Sequence, residues 1–375
     1  MTRVLLFRDF VEDGRLSMER YADQLAAALR QSMPEGWQLG EFRPRIARWL
    51  EAPPLAERNR LRLARYLGYP CAVMLRKGEI NHVLDQGYGH LSCVLPRRRS
   101  VITVHDLIPL LRWKGAIRGI APGRRPWLNE LSAKALRHAA YLIATSESTR
   151  RDLIRHLGCD PHRISVVYPG LDPSMRPLAP GEHGELRARL GLPGSEIRLV
   201  LIMGDAFYKN HETSLAVLQR LGELCRPPPM LVRLGRSSEA WQRSLRAHGL
   251  EARALTLAPL ADARMVELYN AVDCLLFPSW YEGFGLPVIE AMACGTPVVA
   301  SNAAALPEAA GEAAALAAPD DVGGLAELVR AALDDKAVRQ AQVEKGLRHA
   351  ARFSWDKAAA ETWRVYEKVL AAAGP

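Results

Sequence analysis

Long uncharged hydrophobic runs are absent from this 375-residue sequence. No segment reaches the roughly 20 apolar residues that a membrane-spanning helix needs. The first ten residues, MTRVLLFRDF, have strand character and an early aspartate, Asp9, and they do not resemble a secretory signal. These absences argue against a membrane-spanning protein and predict that the chain stays in the cytoplasm.

Cysteine is sparse, and the sequence also lacks a metal-binding motif. The six cysteines lie scattered in apolar contexts, without the spacing of a zinc site or a disulfide framework, so we expect reduced core residues: Cys71, Cys93, Cys159, Cys225, Cys274 and Cys294. No Asp-x-Asp motif follows a strand, and the pairs Asp320-Asp321 and Asp334-Asp335 have the character of solvated charge. The sequence therefore predicts no metal and no cofactor.

Strand and helix patterns alternate along both halves of the chain, which predicts an α/β protein with parallel sheets covered by helices. A segment rich in proline and glycine, residues 169–193, is the best candidate for a hinge, and we place the domain boundary near Ala179. The predicted strands are residues 3–10, 79–86, 100–107, 140–145, 163–169, 197–204, 230–235, 254–259 and 272–279.

The most informative segment, FPSWYEGFGLPVIEAMACGTPVVA, places Glu282 and Glu290 eight positions apart around a glycine-rich turn. A buried strand ends there, and a helix follows with Pro287 in its first turn and Gly295 at its end. A helix N-terminus beside glycines can bind a diphosphate. Glu290, expected in the first helical turn, could accept hydrogen bonds from a ribose, and Glu282 could reach the sugar or its leaving phosphate. A lone glutamate would more often be a helix-dipole partner.

This motif resembles that of the family 4 retaining glycosyltransferases, which have the GT-B fold. The resemblance implies two Rossmann-like domains facing each other across a cleft. Residues 1–178 would bind the acceptor, residues 179–355 would bind a nucleotide-sugar donor, and a last helix, about 356–375, would pack back on the first domain. The segments HDLIPL and YKN are similar to those of bacterial mannosyltransferases of surface polysaccharide and lipopolysaccharide synthesis, which favours GDP-mannose as the donor.

The segment GDAFYKN matches the loop in which family members carry a basic cluster. The resemblance implies that Lys209 contacts the donor diphosphate, although a solvated surface lysine is the common alternative. Most relatives also carry an arginine here, whereas this chain has Asp205 and Tyr208 at the corresponding positions. Arg233 or Arg236 could substitute for the missing cation.

The resemblance implies further site residues. His105 ends a predicted strand and matches the family histidine near the sugar, although a structural histidine is equally compatible with that position. Gly14 stands in the loop that lies near the donor phosphate and the acceptor, and Ser17 could cap the helix that follows. Ser146 has the features of a helix cap. The remaining donor-binding residues would be Gly283, Phe284, Gly285 and Leu286 in the turn and Leu260 in the base-binding loop, residues 257–261.

Basic residues are concentrated in the first half of the chain. Residues 1–175 hold 28 Lys and Arg against 17 Asp and Glu, and the remainder holds 22 against 24. A glycan or polyprenyl-diphosphate-linked acceptor at an anionic membrane surface fits this excess, with peripheral membrane contact. Nucleic acid ranks lower because no nucleic-acid module is recognisable, and a solvated arginine-rich face remains open. The candidate acceptor or membrane residues are Arg97, Arg98, Arg99, Arg124 and Arg125.

Transfer through Glu282, His105 and Lys209 would require no metal and, by the resemblance, would retain the anomeric configuration through front-face attack by the acceptor. Two alternatives stay open at this point. One is a nucleotide-sugar epimerase of the same fold, and the other is a homologue that binds a nucleotide sugar without catalysis.

Overall fold

The computed structural model describes residues 1–45, 57–179, 181 and 183–374, and the chain divides into two compact units. Unit 1 consists of Met1–Ala116, Ala121–Gly170 and Ser354–Pro375, and unit 2 of Ile117–Ile120 and Leu171–Phe353. The first long stretch of unit 2 thus begins within the segment rich in proline and glycine, several residues before the boundary expected near Ala179.

Unit 1 contains a parallel six-stranded sheet in the order β2-β1-β3-β4-β5-β6 within the described residues. Its strands are β1 (Thr2–Phe7), β2 (Trp37–Phe42), β3 (Ile80–Val83), β4 (Ser100–Val104), β5 (Tyr141–Ala144) and β6 (Ile164–Val166). Its helices are α1 (Leu16–Gln31), α2 (Glu57–Leu63), α3 (Tyr69–Met74), α4 (Ile108–Trp113), α5 (Trp127–Ala135), α6 (Glu147–Leu157) and α15 (Trp355–Ala373).

Unit 2 repeats this design with the strand order β12-β11-β10-β7-β8-β9, again with parallel pairs. Its strands are β7 (Leu199–Met203), β8 (Met230–Leu234), β9 (Ala254–Leu257), β10 (Cys274–Phe277), β11 (Val298–Ser301) and β12 (Ala315–Ala317). Its helices are α7 (His183–Leu190), α8 (His211–Leu224), α9 (Glu239–Ala247), α10 (Asp262–Ala271), α11 (Leu286–Ala293), α12 (Leu306–Ala310), α13 (Val322–Asp334) and α14 (Lys336–Ala350).

The central strands are buried on both faces, which explains why their sequences are continuous apolar runs without alternation. All four residues of β10 and all five of β4 are buried. Because every strand in a sheet points the same way, the loops after the strands gather at one edge, and ligands of open α/β sheets bind at that edge. The segments that follow β1, β3 and β4 in unit 1, and β7, β8 and β10 in unit 2, are therefore the places to examine.

Helix α15 belongs to unit 1, although unit 2 separates it from the rest of that unit in the sequence. Trp363 lies 5.1 Å from Trp37, measured between ring centroids. The Tyr366 hydroxyl lies 2.6 Å from Nδ1 of the buried His82, and Nε2 of His82 lies 2.8 Å from Oγ1 of Thr103. The last helix thus closes the apolar core of the first sheet.

Two local expectations were wrong and one was confirmed. Ser17 does not cap α1, because the helix begins at Leu16 and its N-cap position is occupied by Arg15 without a side-chain hydrogen bond. Cys71 and Cys93 are exposed instead of in the core, whereas the other four cysteines are buried. Ser146 does cap α6, since its hydroxyl accepts a hydrogen bond from the Thr149 amide at 2.9 Å.

None of the helices in the described ranges is both long enough and apolar enough to cross a membrane.

Candidate active site

In unit 2, the glycine-rich turn joins the end of β10 to the start of α11. Gly285 occupies the N-cap position with φ of 111°. A side chain there would be strained by that backbone conformation, and its Cβ would lie 2.8 Å from Cδ2 of Leu306. Pro287 stands in the first helical turn, as expected. The sequence therefore specifies a sharp turn that brings the backbone close to the sheet edge.

Lys209 and Glu282 meet in this turn region. Lys209 Nζ lies 2.8 Å from Glu282 Oε1, and the two side chains are only 14% and 10% exposed. The ammonium group also sits over the Phe277 ring, 4.5 Å from its centroid. The Trp280 amide donates to the Tyr208 carbonyl at 2.8 Å and holds the two loops together. Two residues 73 positions apart thus form one charged pair at the carboxyl edge of the sheet.

Asn210 fixes the conformation of the lysine loop. Its φ is 58°, a left-handed conformation that asparagine tolerates better than most residues. Its side-chain amide donates to the carbonyls of Pro278 at 2.9 Å and Pro319 at 2.7 Å. The asparagine of the YKN segment is therefore a structural residue that places Lys209.

Glu290 lies on helix α11, but further from the start of the helix than expected. Helix α11 begins at Leu286, so Glu290 is its fifth residue and not a member of the first turn. Its Oε2 accepts a hydrogen bond from the hydroxyl of Tyr269 at 2.8 Å. Tyr269 is fully buried on α10, and its hydroxyl also lies 3.3 Å from the sulfur of Met203 at the end of β7. The sequence carried no signal for this tyrosine, since nothing in its own segment links it to Glu290.

Arg233, one of the two candidates for a second cation, already has an anionic partner. Its guanidinium lies 2.5 Å from Asp205 and 4.4 Å from the centroid of the Trp241 ring, and its side chain is 5% exposed. The carboxylate of Asp205 also accepts from the backbone amide of Arg236 at 3.1 Å. Asp205, the residue that departs from the family pattern, thus neutralises Arg233, while the Arg236 side chain is exposed.

In unit 1, His105 lies directly after β4. Its Nε2 is 2.9 Å from the Leu84 carbonyl, and its backbone amide donates to Oε1 of Gln86 at 2.8 Å. Burial lowers the pKa of His105 below its ordinary value of 6.5, against the opposing effect of Asp85. The proton of the neutral ring therefore resides on Nε2, which leaves Nδ1 as the hydrogen-bond acceptor of the ring.

Gly14 lies beside a network of charged groups that sequence patterns did not reveal. It ends a short 3₁₀ helix with φ of 59°. The next residue, Arg15, is ion-paired with Asp85 and lies 3.5 Å from Asp9. Burial, followed by the charge of Asp85, raises the pKa of Asp9 above its ordinary value. Burial also opposes ionisation of Asp85, but Arg15 and hydrogen bonds outweigh it and lower the pKa of Asp85.

The predicted basic residues of unit 1 occupy two places. Arg97, Arg98 and Arg99 precede β4, whereas His105 follows it, so these arginines lie at the opposite edge of the sheet from His105. Arg97 and Arg98 line a cleft of about 680 Å³ together with Arg163 and Lys368. Arg124 and Arg125 are exposed just before α5.

The remaining predicted residues lie in loops at the carboxyl edge of the second sheet. Gly283 and Phe284 belong to the turn before α11, and Leu260 follows β9, where it is half-buried. The two aspartate pairs considered for a metal cap helices: Asp321 caps α13 and Asp335 caps α14. In the described part of the chain, no group of three His, Cys, Asp or Glu side chains is arranged to hold a metal ion.

Comparisons with known proteins identify the family. The model of Glycosyltransferase Family 4 matches residues 18–175, and that of Glycosyl transferases group 1 matches residues 183–349. The D-inositol 3-phosphate glycosyltransferase of Xylanimonas cellulosilytica is 32% identical over 74% of this chain and 69% of that protein. The D-inositol 3-phosphate glycosyltransferase 1 of Catenulispora acidiphila is 29% identical over 87% of this chain and 81% of that protein.

The chain belongs to glycosyltransferase family 4.

Solved structures agree on the fold of this glycosyltransferase. Sucrose-phosphate synthase from Thermosynechococcus elongatus superposes with a TM-score of 0.78 and 20% identity, covering 99% of this chain and 100% of that chain. An Anabaena protein, crystallised with UDP and glucose, superposes with a TM-score of 0.76 and 17% identity, covering 98% and 100%. The expected GT-B architecture of two Rossmann-like domains is confirmed. Transfer, instead of epimerisation or binding alone, is the activity of the family.

Proposed function

We propose that this enzyme transfers a hexose from a nucleotide-diphosphate sugar to a hydroxyl group of a glycan or lipid-linked acceptor, with retention of configuration. The observation that carries the proposal is the pairing of Lys209 with Glu282 in the turn before α11, with Glu290 one helical turn further on. The Anabaena neighbour, solved with UDP and glucose, supports a nucleotide-sugar donor.

The pair suits a reaction in which negative charge collects on a departing diphosphate. A fixed cation in a largely buried site stabilises such charge far better than one in water. We propose that the donor phosphates displace Glu282 from Lys209 and that Glu282 then contacts the sugar. Glu290 would accept hydrogen bonds from the ribose. Since Lys209 already provides a positive charge, the proposed transfer needs no metal, and full activity in excess EDTA is the expected result.

The donor proposed from the sequence is GDP-mannose, and UDP-glucose is the competing candidate because of the Anabaena complex. The curated relatives carry inositol 3-phosphate in their names, which makes that compound the competing acceptor. A thermal-stability panel of GDP, UDP, ADP and their hexose conjugates would identify the donor, because a ligand that binds the folded state raises its stability.

Two variants test the site. Glu290→Ala should weaken binding of the stabilising nucleotide about tenfold, because a charged hydrogen-bond acceptor for the ribose is lost. Glu282→Ala should lower kcat at least a hundredfold and change nucleotide binding less. The exposed Glu312 of unit 2 provides a control, since Glu312→Ala removes the same charge and should leave both quantities unchanged. Wild-type kinetics in both site variants would rule out the assignment.

Peripheral attachment to an anionic membrane belongs to the same proposal. Trp127 and Leu131 are one helical turn apart on α5 and are 65% and 51% exposed. Arg124 and Arg125 precede them, so an apolar pair is flanked by positive charge, which is the composition of a surface that enters the headgroup region of a bilayer.

A further inference from the structure

A large cleft of unit 1 lies away from the candidate active site. Its volume is about 680 Å³, and its lining includes Arg97, Arg98, Arg163 and Lys368. The first two arginines precede β4, Arg163 immediately precedes β6, and Lys368 lies on α15. Since β4, β5 and β6 are neighbours in the sheet, the cleft lies where these parallel strands begin. We call it the amino-edge cleft.

The length of a strand separates the amino-edge cleft from the candidate residue that follows β4. Strand β4 has five residues, Ser100–Val104, and spans roughly 16 Å at about 3.3 Å per residue. Arg97 and Arg98 precede this strand, and His105 follows it. Substrates of open α/β sheets bind at the carboxyl ends of the strands. The amino-edge cleft is therefore a second site, distinct from the place where the sugar is transferred.

The lining of the amino-edge cleft does not balance its positive charge. Arg97, Arg98, Arg163 and Lys368 contribute four cations, and no Asp or Glu of the described residues lines the cleft. In the part of the chain that the structure describes, none of the four is ion-paired. Like charges gathered in a concave surface create a positive potential that attracts anions.

Two acidic residues adjoin these cations in the sequence. The carboxylate of Asp160 accepts a hydrogen bond from the His162 amide at 2.9 Å, and Glu367 is exposed on α15 next to Lys368. Neither acidic residue lines the cleft. If both were counted, four positive charges less two negative charges would leave +2. The sign of the local charge therefore does not depend on them.

Arg163 is held in the cleft by neutral partners. Its Nε donates to the Ala140 carbonyl at 2.9 Å, and its Nη2 donates to the Ala139 carbonyl. Carbonyl oxygens hold the guanidinium group without cancelling its charge. Nη1 has no hydrogen-bond partner among the described residues, so its N–H groups can donate to a ligand. A guanidinium group fixed in this way suits the oxygens of a phosphate.

Lys368 brings a second element of the fold to the cleft. Its Nζ lies 5.9 Å from the centroid of the Tyr141 ring at the start of β5. The Tyr141 hydroxyl lies 3.2 Å from Oγ of Ser165 on β6, which orients the ring. A ligand that contacts Lys368 and the arginines would therefore join α15 to the sheet.

We infer that the amino-edge cleft binds a ligand with at least two negative charges on phosphate groups, and that this ligand is neither the sugar donor nor the acceptor. The volume lies within the range of small-molecule sites, about 300–1,000 Å³. Cations on three segments of the chain match a ligand with several phosphate oxygens. Two sources share this chemistry, a soluble phosphorylated compound and a phospholipid headgroup. The inference goes beyond the proposed function and does not depend on it.

Inorganic diphosphate is the probe for the first test. Isothermal titration at 50 mM NaCl should show a binding component that is weakened at least tenfold in Arg97→Gln/Arg98→Gln, the cleft variant. Both residues are exposed, so folding should not depend on them. Arg155→Gln/Lys357→Gln is the control variant, because it removes two charges from exposed positions of unit 1 outside the cleft. The control variant should keep this component, and 300 mM NaCl should weaken it at least fivefold.

The candidate donor site is a competing place for diphosphate, because Lys209 lies there. Lys209→Gln should keep the binding component that the cleft variant loses. Diphosphate binding that Lys209→Gln weakens and the cleft variant keeps would overturn the inference. Absence of diphosphate binding by the wild type would overturn it as well.

Vesicles distinguish the two sources of phosphate. The probe is a phosphatidylcholine vesicle that contains cardiolipin, a lipid with two phosphate groups. If a headgroup fills the cleft, the cleft variant should bind these vesicles at least tenfold more weakly than the control variant, and diphosphate should release the wild type. If a soluble compound fills it, both variants should bind the vesicles equally, while only the cleft variant loses diphosphate. Either result supports the phosphate site and identifies its source.

Discussion

At the scale of single residues, the candidate donor site is ordered by partners before any ligand arrives. The Lys209 ammonium is held between Glu282 and the Phe277 ring, and the Glu290 carboxylate is held by the Tyr269 hydroxyl. A carboxylate that is fixed in advance, as that of Glu290 is, needs little reorganisation when the donor binds, whereas Lys209 would have to exchange Glu282 for the donor phosphates. Tyr269 is thus a positioning residue that would act through Glu290.

Tyr269→Phe should therefore raise the Kd of the nucleotide and the KM of the donor about tenfold and leave kcat within about twofold. The substitution removes one hydrogen bond to a charged group and keeps the buried ring. Isothermal titration with the nucleotide and steady-state kinetics would measure both quantities.

A double-mutant cycle provides the control. If Tyr269 acts through Glu290, the loss in Tyr269→Phe/Glu290→Gln should not exceed the loss in Glu290→Gln alone. Losses that add would show that Tyr269 contributes to stability or binding independently of the glutamate.

At the scale of helices and strands, the sequence predicted the elements that a local pattern of residues reveals. Most central strands were found because their burial on both faces produces apolar runs, and the turn before α11 was found from its glycines and Pro287. Strand β11 was not predicted, although it is a central strand and all four of its residues are buried. Strand β2 was not predicted, because its residues are mostly half-buried at the sheet edge and show no apolar run. β12 is a three-residue strand of half-buried residues, too short for a pattern to appear.

The candidate site also contains some residues that a local motif reveals and others that it does not. The spacing of Glu282 and Glu290 lies within one turn and helix, so a local motif could reveal it. The contact of Tyr269 with Glu290 and the ion pairs Arg15–Asp85 and Arg65–Asp13 join segments that only the folded sheet brings together, and no local pattern reports such pairs.

Gly285 gives a test of the turn. Gly285→Ala should destabilise the protein by roughly 1–3 kcal/mol, because alanine is strained at φ of 111° and its Cβ would press on Leu306. Gly323→Ala is the matched control, since Gly323 lies in α13 and its added Cβ would have no neighbour closer than 3.9 Å. The control should be as stable as wild type or more so. Urea midpoints measure both, and equal loss in the two variants would contradict the prediction.

His82 links β3 and β4 to α15 and should make stability depend on pH. Burial lowers the pKa of His82 to about 3. In the unfolded chain the pKa of His82 is near the ordinary 6.5. Below that pH, the unfolded state therefore binds a proton that the folded state does not bind. The contribution of His82 to the free energy of unfolding is fully present above pH 6.5. It declines as the pH falls toward 3, by up to about 1.4 kcal/mol per pH unit.

Urea unfolding between pH 7.5 and 4.5 would measure this slope. His82→Gln should lower the stability at pH 7.5, because it disturbs the contacts with Tyr366 and Thr103. The slope of its unfolding free energy against pH should be shallower than that of the wild type, by as much as the binding of one proton contributes. Parallel curves for the variant and the wild type would show that His82 does not titrate in this window.

At the scale of the whole molecule, the positive charge is unevenly distributed along the chain, and the excess belongs to the first 175 residues. Exposed Trp127 and Leu131 lie in this part. Charge on one part of a protein raises the local concentration of anionic partners, and each cation near an anionic bilayer contributes roughly 1 kcal/mol.

We expect the protein to co-sediment with vesicles containing phosphatidylglycerol and not with phosphatidylcholine alone, and 0.5 M NaCl should release it. The double variant Trp127→Ser/Leu131→Ser should weaken this binding roughly tenfold, because apolar area no longer enters the interface. Met33→Ser, at an exposed position of unit 1 just beyond α1, is the control and should bind as wild type does. Salt-independent binding, or no loss in the double variant, would contradict the expectation.

The position of α15 in the chain has a consequence for biosynthesis. When a ribosome has made residues 1–353, the sheet of unit 1 is present but the residues that cover part of its core, among them Trp363 and Tyr366, have yet to emerge. The nascent polypeptide would therefore expose apolar surface throughout translation of unit 2, a period in which such surfaces aggregate or recruit chaperones. Unit 1 can complete its core only after α15 has been translated.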